Sequence, residues 1–332
     1  MNVSDSVEQS SVLKSLQAYG TLACFVGLLA LFWWLLPNTF MTGRNLLNIT
    51  QQMSMLAVVA FSMTVVMAMG DFDLSVGSMA TLSGIVAAVA FRETDSVAFG
   101  VSLALAVGLF GGAVNGVLVS YIGILPFVAT LGTLTIFSGL AFLISEGKTI
   151  FGGDIPASFS SFAKGGFPLW SNGEQVLLLP NLTIVAALTL LVIWVVLQKL
   201  VFGRHIYAMG GNAEAARLAG VNVKRTRLTA FAITGLGASI AGLMYASRVA
   251  SANPTQGSGL MLDAIAAVFL GMTISRHGEP RVVNTLVGVL MIGVLSNGLT
   301  QLSVDSYIRD ILVGTIIIAA VAVGSYERMK RN

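Results

Sequence analysis

The chain has 332 residues, of which 55% are hydrophobic and only 10% charged, with a mean hydropathy of +0.86 and a formal net charge of +3. A soluble domain carries roughly 25% charged residues to stay solvated, so this composition excludes an ordinary water-soluble globule. About 20 apolar residues make one membrane helix; ten of them would consume about 200 positions and leave no room for a large soluble domain.

The first 20 residues, MNVSDSVEQSSVLKSLQAYG, are polar and lack the hydrophobic core of a secretory signal. The first apolar run, 19–36, therefore reads as a retained anchor. It holds Cys24, the single cysteine, which has no intrachain partner and reads as an inert packing thiol. Further apolar runs fall at 51–69, 75–91, 97–121, 126–144, 178–198, 229–247, 263–275, 282–301 and 306–325. No water is available in lipid to satisfy an open backbone, so each run must be helical. The sequence thus predicts an all-α integral membrane protein of about ten transmembrane helices, one transmembrane domain over 1–332.

Between the second and third runs stands GDFDLSVGS, Gly70–Ser78. Asp71 and Asp73 are the costliest residues of the chain if they lie at membrane depth, and ionisable groups there point to function. Ser75 and Ser78 supply hydroxyls, and Asp73 or Ser75 suits the cap of the third helix. Two readings stay open, helix capping with gate architecture or direct contact with a polar substrate. In the fourth run, Gly108, Gly112 and Gly116 recur every four residues and lay a smooth ridge along one helix face, the pattern of close helix packing in lipid, within the chain or, as the alternative, at a dimer contact. Asn115 stands beside that ridge. A buried membrane amide usually bonds a neighbouring helix; a role in the translocation path is the alternative for it and for Asn297 in the ninth run.

SEGKTI at 145–150 has the ending of a phosphate-binding loop, but the glycine required five positions before Gly147 is Phe142, and no strand precedes it. It reads as a solvated loop within the long connection 145–177. After the sixth run, the segment 199–228 carries Lys199, Arg204, Arg217, Lys224, Arg225 and Arg227 against one acid, Glu214. The positive-inside rule places it in the cytoplasm. Counting spans outward then puts the N-terminal segment 1–18 and the tail 326–332, with Arg328, Lys330 and Arg331, on the same side, and 145–177 outside.

Within that basic segment, GGNAEAARLAG predicts a short helix. Gly210 and Gly211 break what precedes, Asn212 caps it, Glu214 faces the positive end of its dipole, and Gly220 closes it. Seven residues from Ala213 to Ala219 make about two turns, too short to persist alone in water. Such a helix must dock, with Gly211, Asn212, Glu214, Ala215, Ala216, Arg217, Leu218 and Gly220 as the candidate surface. The eighth run is short and opens with Asp263, a further candidate for the path or gate. Arg309–Asp310 opens the tenth. His205 and His277, the only histidines, stand beside arginines with no nucleophile in view, so catalysis is not expected. Nothing in the chain suggests a metal, and no basic patch suggests nucleic acid.

Three segments resemble one family: FGRHIYAMGGNAEAARLAGV, GDFDLSVGS and PFVATLGTLTIFSGLAFLIS (Pro126–Ser145). They are similar to the permease subunits of bacterial ABC sugar importers of the ribose/arabinose/xylose/galactoside type. The resemblance implies that the alanine-rich helix is the coupling helix seated in a cleft of a separate ATPase subunit, which binds the Mg-ATP. It also implies a second permease copy, an extracytoplasmic sugar-binding protein, a monosaccharide or polyol cargo and an inner-membrane location. One stretch departs: LGMTISRHGEPRVVN keeps Gly271 and Gly278 of the family's glycine-rich loop but adds Arg276, His277, Glu279 and Arg281. The rival readings are a branched-chain amino-acid permease, similar in layout, and an ion-coupled secondary carrier, which would need ionisable residues in mid-span.

Overall fold

A computed structural model describes residues 20–171, 176–275, 278–315 and 318. Expectations placed on 1–18, Arg276, His277, the tail 326–332 and the second half of the tenth run lie outside these residues. In chain order the helices are α1 (Gly20–Leu35), α2 (Gly43–Ala68), α3 (Val76–Thr94), α4 (Val97–Val117), α5 (Pro126–Ser145), α6 (Ala157–Lys164), α7 (Asn181–Gln198), α8 (Val201–Leu218), α9 (Val223–Val249), α10 (Leu260–Ile274), α11 (Val282–Gln301) and α12 (306–315). Seven of them, α2, α3, α4 with its π-helical extension Leu118–Ile122, α5, α7, α9 and α11, are long and apolar enough to cross a membrane.

Two helices start well before their hydropathy does. α2 begins at Gly43 because the Thr42 hydroxyl accepts the Asn45 N–H at 3.2 Å, and its polar first turns are used rather than solvated. Gln51 donates to the Ala163 carbonyl of α6 (2.9 Å), and Thr50 bonds Thr183 of α7 (2.9 Å). α9 begins at Val223, where Asn222 accepts the Arg225 N–H at 3.1 Å. The connection 145–177 is also more ordered than a loop. Two short strands, β1 (Ile150–Phe151) and β4 (Ser251–Ala252), pair antiparallel, and β2 (Gly166–Ser171) with β3 (Val176–Pro180) forms a hairpin before α7. The Cys24 thiol lies on an exposed face of α1 rather than in packing.

The described residues gather into two compact units, Thr50–Ala264 and the flanks Met1–Ile49 with Ile265–Asn332. In the larger unit, α9 is the axis. Gly116 faces Leu228, Gly112 faces Phe231 and Gly235, and Gly108 faces Gly235 and Ser239, so α4 runs antiparallel to it. Gly84 and Ala80 face Gly242, so α3 runs parallel. The contact is backbone to backbone. A methyl group at Gly108 would stand 2.6 Å from the Gly235 carbonyl, and one at Gly116 would stand 2.7 Å from Leu228 Cα. Hydroxyls then bond across the seams: Ser239 donates to the Ala104 carbonyl (2.7 Å), and Thr234 to the Ser62 carbonyl (3.1 Å). The glycine ridge of the fourth run therefore packs within its own chain.

Past Val249 the chain crosses β4 and turns back. The Gly257 N–H donates to Thr81 of α3 (2.9 Å), and Gly77 and Gly257 cross so closely that a methyl group on Gly77 would meet the Gly257 carbonyl at 2.5 Å. Since Ala80 lies level with Gly242, this crossing falls roughly two to three helical turns below the end of α9. α10 begins from there and has 15 residues, about 22 Å at 1.5 Å per residue and short of the roughly 30 Å hydrocarbon core. The eighth run is short because its helix starts inside the bundle.

The flanking unit is pinned in the same manner. Gly298 of α11 lies against the Phe32 ring of α1, which itself meets Phe40 at 5.4 Å between centroids. Gly288 lies on Ala267, and Gly271 on the Asn284 backbone, joining α10 to α11. Gly271 therefore serves close helix approach.

Gly112→Val should wedge α4 from α9 and cost about 1–3 kcal/mol, the usual range for overpacking. Thermal unfolding in detergent checks this, with Gly132→Val, where a methyl group meets nothing within 4 Å, expected to stay near the parent.

Candidate functional site

The non-helical segment 69–75 packs beside α4, α5 and α9 with Asp71, Asp73 and Ser75 buried, and its sequence explains how it survives there. Gly70, at φ +87°, ends α2: its N–H returns to the Met67 carbonyl (3.0 Å) and the Asp71 N–H to Val66 (3.2 Å), the paired closure of a Schellman motif. Asp73 then opens α3. Its carboxylate accepts the Ser75 N–H at 2.9 Å and the Ser75 hydroxyl at 2.6 Å, and Asp73 is 1% exposed. Ser75 holds the N-cap position of α3 but makes no side-chain cap bond, and Asp73 fixes Ser75 in a turn just ahead of the helix rather than capping its free N–H groups. Ser78 donates back to the Ser75 carbonyl (2.9 Å).

Asn115 joins this turn to two further helices. Its amide donates to Ser75 Oγ at 2.8 Å and lies 3.5 Å from Asp73 Oδ1, while its own oxygen accepts from Thr133 Oγ1 of α5 at 2.7 Å. Asp73, Ser75, Asn115 and Thr133 are all buried. Their chain of bonds ties the turn to α4 and α5, and it satisfies in low dielectric groups that would otherwise cost about 1–3 kcal/mol each.

Asp71 faces the other way, toward the basic segment. Arg227 Nε of α9 lies 2.7 Å from Asp71 Oδ2, with the carboxylate side chain 9% and the guanidinium 23% exposed. The N–H points off the line between them, so neither atom has an aligned hydrogen bond and the attraction is chiefly Coulombic.

α8 meets the same place. It is two helices joined at Asn212, whose backbone is extended (φ −162°, ψ 105°). The first continues through Gly210 and Gly211 instead of breaking there. Gly210 is needed for proximity: its α-carbon lies against the Ala68 carbonyl and Met69 at the end of α2, with no room for a methyl group. The second helix is built as its sequence predicts. Asn212 Oδ1 accepts the N–H groups of Glu214 and Ala215, each at 3.0 Å. Gly220, at φ +91°, closes it: its N–H returns to Arg217 and the Val221 N–H to Ala216, each at 3.0 Å. Glu214 and Arg217 form a two-pronged ion pair (2.9 and 2.5 Å) in the open. Hydrogen bonding from Arg217 holds the Glu214 carboxyl below its ordinary pKa, so the clamp is complete at neutral pH and is lost only as pH falls through that lowered value. Ala216 alone is buried; Ala215 and Ala219 are exposed, and Leu218 is 75% exposed, so the bare face is more apolar than an alanine surface.

The remaining candidates stand elsewhere. Asn297 is buried in the flanking unit, accepting from Asn45 (3.1 Å) and Gln301 (2.8 Å). Asp263 is half-buried in the first turn of α10. Arg309 pairs with its neighbour Asp310 at 3.0 Å. Arg227 and Thr133 were not singled out by sequence, since Arg227 is one of three basic residues, with Lys224 and Arg225, in the first turns of α9 and nothing along the chain marks it from the others.

Together these residues form one mechanical unit. A largely exposed short helix follows Asn212, and the segments on either side of it, at Gly210 and Arg227, both meet the α2 end of the hydrogen-bonded turn, at Ala68–Met69 and at Asp71. Replacing Asp71 with Ala would strand the Arg227 charge and should cost about 3 kcal/mol, the lower end for breaking a buried pair because Arg227 is partly solvated. Adding Arg227→Met should return most of it, as read from thermal unfolding in a double-mutant cycle.

Known proteins share this chain's sequence along nearly its whole length. A profile of the family described as the branched-chain amino acid transport system/permease component matches residues 45–321. The ribose import permease protein RbsC of Escherichia coli K12 is 38% identical over 308 residues, covering 93% of this chain and 94% of its own. The D-allose transport system permease protein AlsC of the same organism is 33% identical over 305 residues (92% and 90%), and the L-arabinose ABC transporter permease protein AraH of Azospirillum brasilense is 31% identical over 327 residues (98% and 92%). The kinship read from the three motifs holds, and the chain belongs to this family of multi-pass membrane permease components.

Proposed function

We propose that this chain is the membrane-spanning permease subunit of an ABC importer that carries a monosaccharide or related polyol across the inner membrane. The names of its relatives support a sugar cargo, and ribose, allose and arabinose are the first to test. On this reading 199–228 and both termini face the cytoplasm, as the positive-inside rule requires. The chain itself hydrolyses nothing. Mg-ATP is bound by a separate ATPase subunit, an extracytoplasmic sugar-binding protein delivers the cargo, and a second copy of the permease completes the pathway. Lipid surrounds the bundle and nucleic acid plays no part.

The observation that carries this reading is the helix 213–218, capped at both ends and exposed along most of its surface, yet rooted in the buried turn. A two-turn helix does not hold itself in water; this one is kept by Asn212, by Gly220 and by the partner it docks on. Closure of the ATPase pushes on Leu218 and on the Glu214–Arg217 clamp. The extended residue Asn212 bends, and the load reaches Ala68 through Gly210 and Asp71 through Arg227. Because Asp73, Ser75, Asn115 and Thr133 are bonded in series, the turn moves as a piece and takes the first turns of α3 with it. This is alternating access through two packed states rather than continuous flexing.

Glu214→Lys and Leu218→Asp should each lower ATP-dependent uptake tenfold or more in vesicles while the protein still inserts. Full uptake with the ATPase still bound would refute the docking role. A panel of labelled D-ribose, D-allose, L-arabinose and leucine settles the cargo; one of the sugars should accumulate, and accumulation of leucine alone would move the chain to the amino-acid branch.

A further inference from the structure

Above the buried turn, on the side away from Arg227, the larger unit encloses an open cavity of about 200 Å³. Three elements line it: the turn with the start of α3, the inward-turning segment 254–258 with Met261, and one face of α5 on which Leu134, Ser138 and Phe142 recur every four residues. Its polar groups are hydroxyls only. Ser78, Thr81, Ser138, Thr255 and Ser258 contribute one each, and no charged side chain reaches it.

Their bonding leaves them available. Ser78 gives its proton to the Ser75 carbonyl and keeps its lone pairs. Thr81 gives its proton to the Gly77 carbonyl (3.1 Å) and accepts from Gly257. Ser138 and Ser258 make no side-chain bond among the described residues, although Ser138 sits in a helix where Thr130 and Thr135 both bond back to the preceding turn. An unengaged hydroxyl both donates and accepts, as sugar hydroxyls do. Irregular backbone at membrane depth is tolerated where it lines a water-filled space, and segment 254–258 supplies such backbone here. At about 30 Å³ of liquid volume per water, the cavity holds about six or seven waters, the room of a single sugar ring. Phe142 and Met261 offer apolar surface to the C–H face of such a ring.

Resting on the sugar reading above, we infer that this cavity is a transient binding site for one uncharged, polyhydroxylated ring, with Ser138 and Ser258 as its free hydrogen-bonding groups. Its neutrality rejects charged solutes, and its few unengaged groups hold the ring weakly enough to release it. Placed directly over Gly77 and Ser78, it is reshaped whenever the turn beneath it moves.

Vesicles containing the assembled transporter test this with the labelled D-ribose, D-allose and L-arabinose. Ser138→Trp and Ser258→Trp should fill the cavity and cut uptake at least tenfold while the chain still inserts and retains its ATPase subunit. Ser138→Ala should raise the KM for uptake three- to tenfold with less change in maximal rate. Uptake within twofold of the parent in both Trp variants would overturn the site. A second measurement separates the site from the cargo: in a Cys24→Ala background, Ser138→Cys should react with a charged, membrane-impermeant methanethiosulfonate, and saturating sugar should slow the reaction. A thiol at 138 that the reagent never reaches, as when a second copy covers it, would sink the cavity and leave the sugar reading standing. Wild-type vesicles that take up none of the three sugars would sink the sugar reading, while a reactive thiol at 138 would still mark a water-filled space.

Discussion

The larger unit is arranged around the cost of keeping the polar side chains of the non-helical segment 69–75, Asp71, Asp73 and Ser75, out of water. In a bundle set in lipid, an unpaired backbone or carboxylate group has nowhere to turn, and each one left open costs several kcal/mol. The turn meets this constraint by local means first. Gly70 folds the end of α2 back on itself, and Asp73 takes the N–H and the hydroxyl of Ser75 just ahead of α3. Only then does it recruit distant partners, Asn115 and Thr133 at one end and Arg227 at the other. A turn satisfied in this way is stiff, because any one bond that slips exposes a buried charge or amide.

Stiffness in the turn would be wasted if the surrounding helices were loose. The glycines of α4 and α9 prevent that, since they bring two backbones together with no side chains between them. Contacts of this kind have few alternative packings, so α3, α4 and α9 behave as one body. The basic segment is the reverse. Its short helix is joined through a single extended residue, carries its ion pair in the open and buries only Ala216. Rigid core and hinged peg meet at Gly210 and Arg227. On the proposed reading, this contrast suits a part that receives force at one point and passes it on undivided.

The same turn borders chemistry of two kinds. Toward the basic segment it presents a carboxylate to a guanidinium; on the far side it presents hydroxyls to an open space without charge. On the proposed reading, an uncharged, hydroxyl-rich cargo and a charged drive are thereby kept apart by the thickness of one turn. The charges stay where they stabilise structure, and the cavity is left neutral.

Much of this was legible in the residues. Long apolar runs fix helices because lipid offers no substitute for the i to i−4 bonds, and the caps at Asn212 and Gly220 and the turn that Asp73 holds at Ser75 are local devices whose partners lie within a few positions. The four-residue glycine spacing foretold a close helix contact. Sequence placed helix breaks at Gly210 and Gly211, however, where the structure uses Gly210 for proximity; a glycine's conformational freedom and its lack of bulk look alike until the neighbour, Ala68, is known. Hydropathy also cut α2 and α9 short, because polar residues that bond to other elements count as loop. What the sequence determined alone was the solvent, the helices, their caps and the family, all set by periodicity and neighbours along the chain. Which charges meet, Asp71 with Arg227, which amide joins α4 to α5, and where Gly257 turns back against Gly77 were decided only by tertiary packing, since those partners stand from 18 to more than a hundred residues apart and nothing local selects them.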